Sequence, residues 1–243
     1  MNIFITGGTT GIGLALAKLY LEEGHRVGIC ARNMSKFPTE IRNKYKLLAC
    51  YEVDVTNREE LHKAINDFSP KDLDIIFANA GRSVGKKSKT PQFSVANEII
   101  DINVKGVLNT FDIALEIMLP KKKGHLVATA SVAGFMGLPG AGAYSASKAA
   151  VLKLCESYSL DLKRRGIDVT AIAPGFVDTP LTQKNTFQMP ALQTPQQAAT
   201  AIICGLTKGK FEIHFPYRFT LLMKLVQLLP YRLRFFLLKR LVL

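Results

Sequence analysis

At 243 residues the chain has the length of one large domain or two small ones, and 48% hydrophobic with 21% charged residues excludes a disordered polypeptide. Its net charge of +13 is unevenly spread. Eight basic residues and one acid lie between Lys208 and Leu243, more than half of the excess in the last seventh of the chain. Such a balance points to an anionic partner for the tail, and no nucleic-acid partner is expected for the domain.

The chain enters NIFIT (2–6) at once, without the basic stretch and apolar run of a secretory leader, so a cytoplasmic protein is expected. Cys30, Cys50, Cys155 and Cys204 lie far apart in apolar runs, which reads as reduced, buried thiols. His25, His62, His125 and His214 form no ligand pair, so no metal site is expected.

Apolar, β-branched runs mark strands at 2–6, 26–30, 47–53, 73–77, 125–129 and 167–173. Helical patterns fall between them near 11–23, 57–68, 94–119, 144–165 and 195–208, with a weaker short helix within 33–46. Continuous apolar strands alternating with helices predict a parallel sheet covered on both faces. With right-handed crossovers this is a doubly wound α/β fold, whose ligand lies beyond the carboxyl ends of the strands. One domain is expected over 1–216, followed by a basic, apolar helical extension over 217–243.

The first strand runs into Thr6-Gly7-Gly8-Thr9-Thr10-Gly11-Ile12-Gly13 and then a helix. Glycines there let the backbone approach a pyrophosphate while the helix N-terminus supplies N–H donors. The second strand ends at Ala31-Arg32-Asn33 with no acid. An acid at that place would bind the ribose 2′-hydroxyl of NAD, whereas arginine accommodates the 2′-phosphate of NADP. NADP(H) is therefore expected over NAD(H).

Polar groups then recur where strand ends would meet such a cofactor: Asn79-Ala80-Gly81 after the fourth strand, Asn103 in the long helix, and Ser131 after the fifth strand. Tyr144 follows Ser131 by thirteen residues, and Lys148 stands four further on, one helical turn away. Singly, Ser131 could cap a turn and Asn103 could be a satisfied buried amide.

Together these residues resemble the short-chain dehydrogenase/reductase family, in its single-domain Rossmann-type branch. The resemblance covers residues 1 to about 215 and rests on TGGTTGIG (6–13), DV (54–55), NAG (79–81), Asn103, Ser131, YSASK (144–148) and PGFVDT (174–179). Ala78 departs from it, standing where the family often has an additional Asn. The resemblance implies that Tyr144 exchanges a proton with the substrate oxygen during hydride transfer. Ser131 would hold that oxygen, and Asn103 would hold a water behind Lys148. Lys148 would also bind the nicotinamide ribose. A unit charge at ~4 Å contributes about 4 kcal/mol at an effective dielectric of ~20, enough to lower the Tyr144 phenol by about three units. Gly7, Thr9, Gly11, Ile12, Gly13 and Arg32 would contact the cofactor phosphates. Asp54 and Val55 would line its adenine, and Asn79, Ala80 and Gly81 would flank it. Pro174, Gly175, Val177 and Thr179 would meet its nicotinamide side.

The segment 180–194 corresponds to the family's substrate loop. Its Phe187, Met189 and Leu192 suggest a lipophilic ketone or alcohol, although packing on the body of the protein would explain them equally. Pairing of subunits through the helices at 94–119 and 144–165 is implied by the resemblance. In 219–243, Pro230 divides two short helices that mix Leu and Phe with Lys224, Arg232, Arg234, Lys239 and Arg240. That character suits peripheral contact with a membrane interface, with subunit packing and a lid as alternatives. The function expected is NADP(H)-dependent interconversion of a carbonyl and an alcohol. A silent cofactor-binding sensor and a 3-oxoacyl-thioester reductase are the competing readings.

Overall fold

In the computed structural model, residues 1–35, 37–84, 90–185 and 188–242 are described, without the side chains of 239–242. The strands are β1 (Asn2–Thr6), β2 (Arg26–Ala31), β3 (Leu48–Glu52), β4 (Ile75–Ala78), β5 (Gly124–Thr129), β6 (Ile167–Pro174) and β7 (Glu212–Phe215). They form one sheet in the order β3-β2-β1-β4-β5-β6-β7, with every pairing parallel. The order reverses between β1 and β4, and their carboxyl ends open the crevice that a doubly wound sheet offers to a ligand.

The helices are α1 (Gly11–Glu22), α2 (Thr39–Lys44), α3 (Arg58–Phe68), α4 (Phe93–Ile100), α5 (Gly106–Lys121), α6 (Gly142–Lys163), α7 (Pro195–Thr207), α8 (Tyr217–Gln227) and α9 (Tyr231–Val242). One face of the sheet packs on α3, α5 and α6 around Phe4, Phe68, Phe111 and Cys155. The other packs on α1 and α7 around Ile5, Leu16, Phe77 and Ile202. Central strands are covered on both sides, which is why β1 and β4 are apolar at nearly every position.

Three features depart from the sequence expectation. The helix expected over 94–119 is two helices joined through a π-helical turn, Asp101–Lys105. Such a turn adds a residue to the helix and re-aims the side chains within it. β7 was not expected: EIHF is four residues long, alternates half-buried and buried positions, and forms the edge of the sheet. A pattern that short carries little period-two signal. The cysteines divide, since Cys30 and Cys155 are buried but Cys50 is half-buried and Cys204 exposed. The expectation of four buried thiols therefore holds for two. Burial pushes the thiols of Cys30 and Cys155 up to about 12.

Candidate active site

The cleft lies at the carboxyl ends of β1, β4, β5 and β6. Its walls are the glycine turn after β1 (Gly7, Thr9–Ile12), Asn79–Gly81, Thr129–Ser131, Tyr144 and Lys148 of α6, and the segment after β6 from Pro174 through Thr182. Apart from the α6 side chains, the walls lie at or just beyond the ends of buried strands, so the sheet itself sets the spacing between them.

The glycine turn is held open by conformations that other residues rarely adopt. Gly7 and Gly11 have φ of +66° and +54°. A side chain at Gly13 would put its Cβ 2.6 Å from Asn79 Nδ2, so α1 can approach β4 this closely only with glycine there. The N-terminus of α1 has neither a side-chain cap from Thr10 nor an acid in its first turn. Its leading N–H groups and dipole suit an anion at the cleft floor.

Asn79 ties three strand ends together. Its Nδ2 donates to the carbonyl oxygens of Thr6 (3.1 Å) and Gly7 (3.2 Å), and its Oδ1 accepts from Thr129 Oγ1 at 3.1 Å. Thr6 Oγ1 accepts from the backbone N–H groups of both Asn79 and Ala80, and donates to the Phe77 carbonyl at 3.2 Å. Ala78 is buried beneath this lattice, so its departure from the family pattern leaves the support of the cleft intact.

Ser131 caps a short 3₁₀ turn, Val132–Gly134, accepting from the Ala133 N–H at 3.1 Å, and its side chain lines the cleft with Tyr144. Lys148 is buried, and its Nζ donates to the Thr129 carbonyl at 2.6 Å. Nζ lies 5.8 Å from the centroid of the Tyr144 ring. Burial lowers the Lys148 ammonium to about 8. It raises the Tyr144 phenol above its ordinary value, with the neighbouring Ser131 hydroxyl acting in the opposite direction. The sequence expectation of a phenol lowered by Lys148 is thus reversed in the protein alone. The lysine charge is directed at Thr129, while the phenol loses water.

Asn103 sits in the π-helical turn and is buried. Its Oδ1 accepts from the Arg82 N–H at 2.8 Å, and its Nδ2 donates to the Arg82 carbonyl (3.0 Å) and Ser147 Oγ (2.9 Å). Ser147 Oγ in turn donates to the Tyr144 carbonyl at 2.8 Å. Through Ser147, Asn103 braces the first turn of α6. Sequence reading missed Ser147, Thr6 and the Thr129 carbonyl, because a backbone acceptor or a buried hydroxyl gives no spacing signal.

Arg32, Asp54 and Val55 lie outside the cleft walls. Arg32 is exposed just beyond β2. Asp54 closes its own turn, its Oδ1 accepting from the N–H (2.9 Å) and Oγ1 (2.8 Å) of Thr56. Val55 is buried against the position of Gly106. Pro174, Gly175, Val177 and Thr179 all line the cleft. Of the loop residues, Leu181 lines it while Met189 and Leu192 do not, and Phe187 and the basic run 86–89 lie outside the described residues. Among the described residues no three His, Cys, Asp or Glu side chains gather as metal ligands.

This doubly wound sheet, with Ser, Tyr and Lys converging beside a glycine turn, defines a dinucleotide-binding oxidoreductase fold. The short chain dehydrogenase family profile matches residues 1–189, and the chain belongs to that family. It is 34% identical over 231 residues to an uncharacterized oxidoreductase of Myxococcus xanthus, covering 93% of this chain and 91% of that one. An uncharacterized oxidoreductase of Staphylococcus aureus is 36% identical over 211 residues, covering 85% and 90%. Among solved structures, ElxO with NADP bound is 26% identical with a TM-score of 0.79, covering 89% of this chain and 98% of that one. A short-chain dehydrogenase of Burkholderia phymatum in complex with NAD shares the fold at a TM-score of 0.81, with 22% identity and 92% of each chain covered.

Proposed function

We propose that the protein is an NADP(H)-dependent reductase of a carbonyl compound, with Tyr144 as the proton donor. The observation that carries this reading is Ser131 and Tyr144 facing the glycine turn across one cleft, with buried Lys148 beside them.

The cradle suits a dinucleotide on two counts: the positive-φ glycines and close-packed Gly13 leave backbone where a side chain would obstruct, and α1 offers uncapped N–H groups. Gly7, Gly11, Ile12 and Gly13 would hold the pyrophosphate, and Arg32 the 2′-phosphate. Asp54 and Val55 would adjoin the adenine, and Lys148 and Thr179 the nicotinamide half. When bound, reduced nicotinamide supplies the hydride. Ser131 Oγ–H is positioned to donate to the substrate carbonyl oxygen and steady the charge that develops there. Tyr144 O–H, kept protonated by burial, gives its proton to that oxygen. Lys148, fixed on Thr129, stabilises the resulting phenolate.

Arg32 and the lack of an acid at the end of β2 favour NADP(H). Glu52 approaches that region, but its carboxylate accepts the Met34 N–H at 2.8 Å. Exposed Phe93 and Leu160 on α4 and α6 support pairing of subunits through these helices. The test is NADPH absorbance decay against a panel of ketones and 3-oxoacyl thioesters. Turnover of one or more panel members is expected, and cofactor binding without turnover of any member would favour a sensor.

A further inference from the structure

α8 is apolar on two faces. Its inner face places Phe219 and Met223 against Val132, Phe135 and Ala173, and Thr220 is fully buried with its Oγ1 2.6 Å from His214 Nδ1. Among the described residues its outer face has no such cover, and α9 continues the exposure. Leu222, Leu225, Leu228, Tyr231, Phe235 and Phe236 are each more than half exposed, Leu228 at 80%. A helix that is apolar all round belongs in a nonpolar environment, and here one side lacks it.

Charge identifies what covers that side. After Glu212 the chain contains Arg218, Lys224, Arg232, Arg234, Lys239 and Arg240 and not one acid. Glu212 itself is already paired with Lys224. A second copy docking through the same face would bring cations against cations with no carboxylate to oppose them. An anionic lipid surface complements both the apolar side chains and the charge. The helices have 11 and 12 residues, whereas a membrane-crossing helix needs about 20. Among the described residues no helix is long and apolar enough to cross a membrane.

We propose that α8 and α9 form an interfacial docking surface for an anionic lipid bilayer. The inner face of the same helix reaches the cleft. Phe219 packs beside Gly175, where an added Cβ would lie 3.1 Å from its ring, and Phe219 lies 5.8 Å from the Phe176 ring. Docking through the outer face of α8 therefore holds the cleft one helix diameter, ~10 Å, from the bilayer, which suits a ketone dissolved in lipid. The docking stands without the enzyme reading, and only this substrate class rests on it.

The full-length protein is to be floated with vesicles of phosphatidylcholine alone and of phosphatidylcholine with about 30% phosphatidylglycerol. About tenfold more protein is expected to float with the anionic vesicles, with loss of that excess in high salt. The variant L222E/L228E, altered only at exposed positions, is expected to stay unfloated while turning over a water-soluble ketone as the wild type does. Flotation by the variant, or none by the wild type, would overturn the proposal. So would a variant that sediments as a smaller species than the wild type while neither binds vesicles, since the face would then be a subunit contact. Flotation of a wild type that turns over no ketone would uphold the surface and refute the enzyme reading.

Discussion

Lys148 Nζ donates a 2.6 Å hydrogen bond to the carbonyl oxygen of Thr129, joining the second turn of α6 to the last residue of β5. That bond directs a buried ammonium along the cleft wall, and its cost is readable in stability. Burial holds Lys148 at about 8 against an ordinary 10.5. Between those values the unfolded chain binds the proton and the native state does not, so this group makes stability rise with pH across that window. Below pH ~8 both states are charged and the native state bears the full penalty, about 3 kcal/mol. Urea unfolding of wild type and Lys148→Met at two pH values isolates the effect. From pH ~7.5 to ~9.5 the wild type should gain about 2 kcal/mol on the variant. Parallel profiles would contradict it.

Tyr144→Phe removes the phenol proton and keeps the ring. Turnover should fall by about 10³-fold while NADPH affinity, followed by fluorescence titration, stays within about threefold. Substantial remaining hydride transfer would remove Tyr144 from the proton-donor role. The raised phenol also predicts carbonyl reduction that is level across neutral pH and alcohol oxidation that accelerates as pH rises past the ordinary tyrosine range.

Arg32→Ala should raise KM for NADPH by about tenfold and leave KM for NADH nearly unchanged, since one charge-assisted hydrogen bond to phosphate is lost. Equal losses with both cofactors would place the arginine away from the 2′-phosphate.

Asn103→Ala leaves the Arg82 N–H and carbonyl without their side-chain partner and frees Ser147. The protein should lose about 3 kcal/mol in urea unfolding, as expected for buried polar groups deprived of partners. A loss under about 0.5 kcal/mol would mean that the brace is dispensable.

Gly13→Ala would force a Cβ against Asn79 and the Gly7 backbone. Destabilisation of about 2 kcal/mol is expected from the overpacking, with weaker NADPH binding as the turn shifts. Thermal melting with and without NADPH reads both effects.

The family and the order of its signature residues were legible because they are local. Glycines at a strand-to-helix turn, and a tyrosine and lysine four apart on a helix, advertise themselves through backbone needs and helical period. β7 escaped notice because four alternating residues at a sheet edge become a strand only by pairing with β6. Asn103 was identified in the sequence, but its partners were not, since Arg82 and Ser147 lie 21 and 44 residues away.

By itself the sequence determined the doubly wound architecture and the glycine turn, which rest on period, spacing and residue type, while the family resemblance pointed to Ser131, Tyr144 and Lys148. Only the tertiary structure decided that burial raises the Tyr144 phenol and lowers Lys148, that the Thr129 carbonyl accepts a hydrogen bond from Lys148, and which side of α8 faces outward. Those outcomes depend on which atoms exclude water from which groups. Desolvation and hydrogen-bond partnership are set by residues distant in the chain, so they exist only once the sheet has brought the strand ends together.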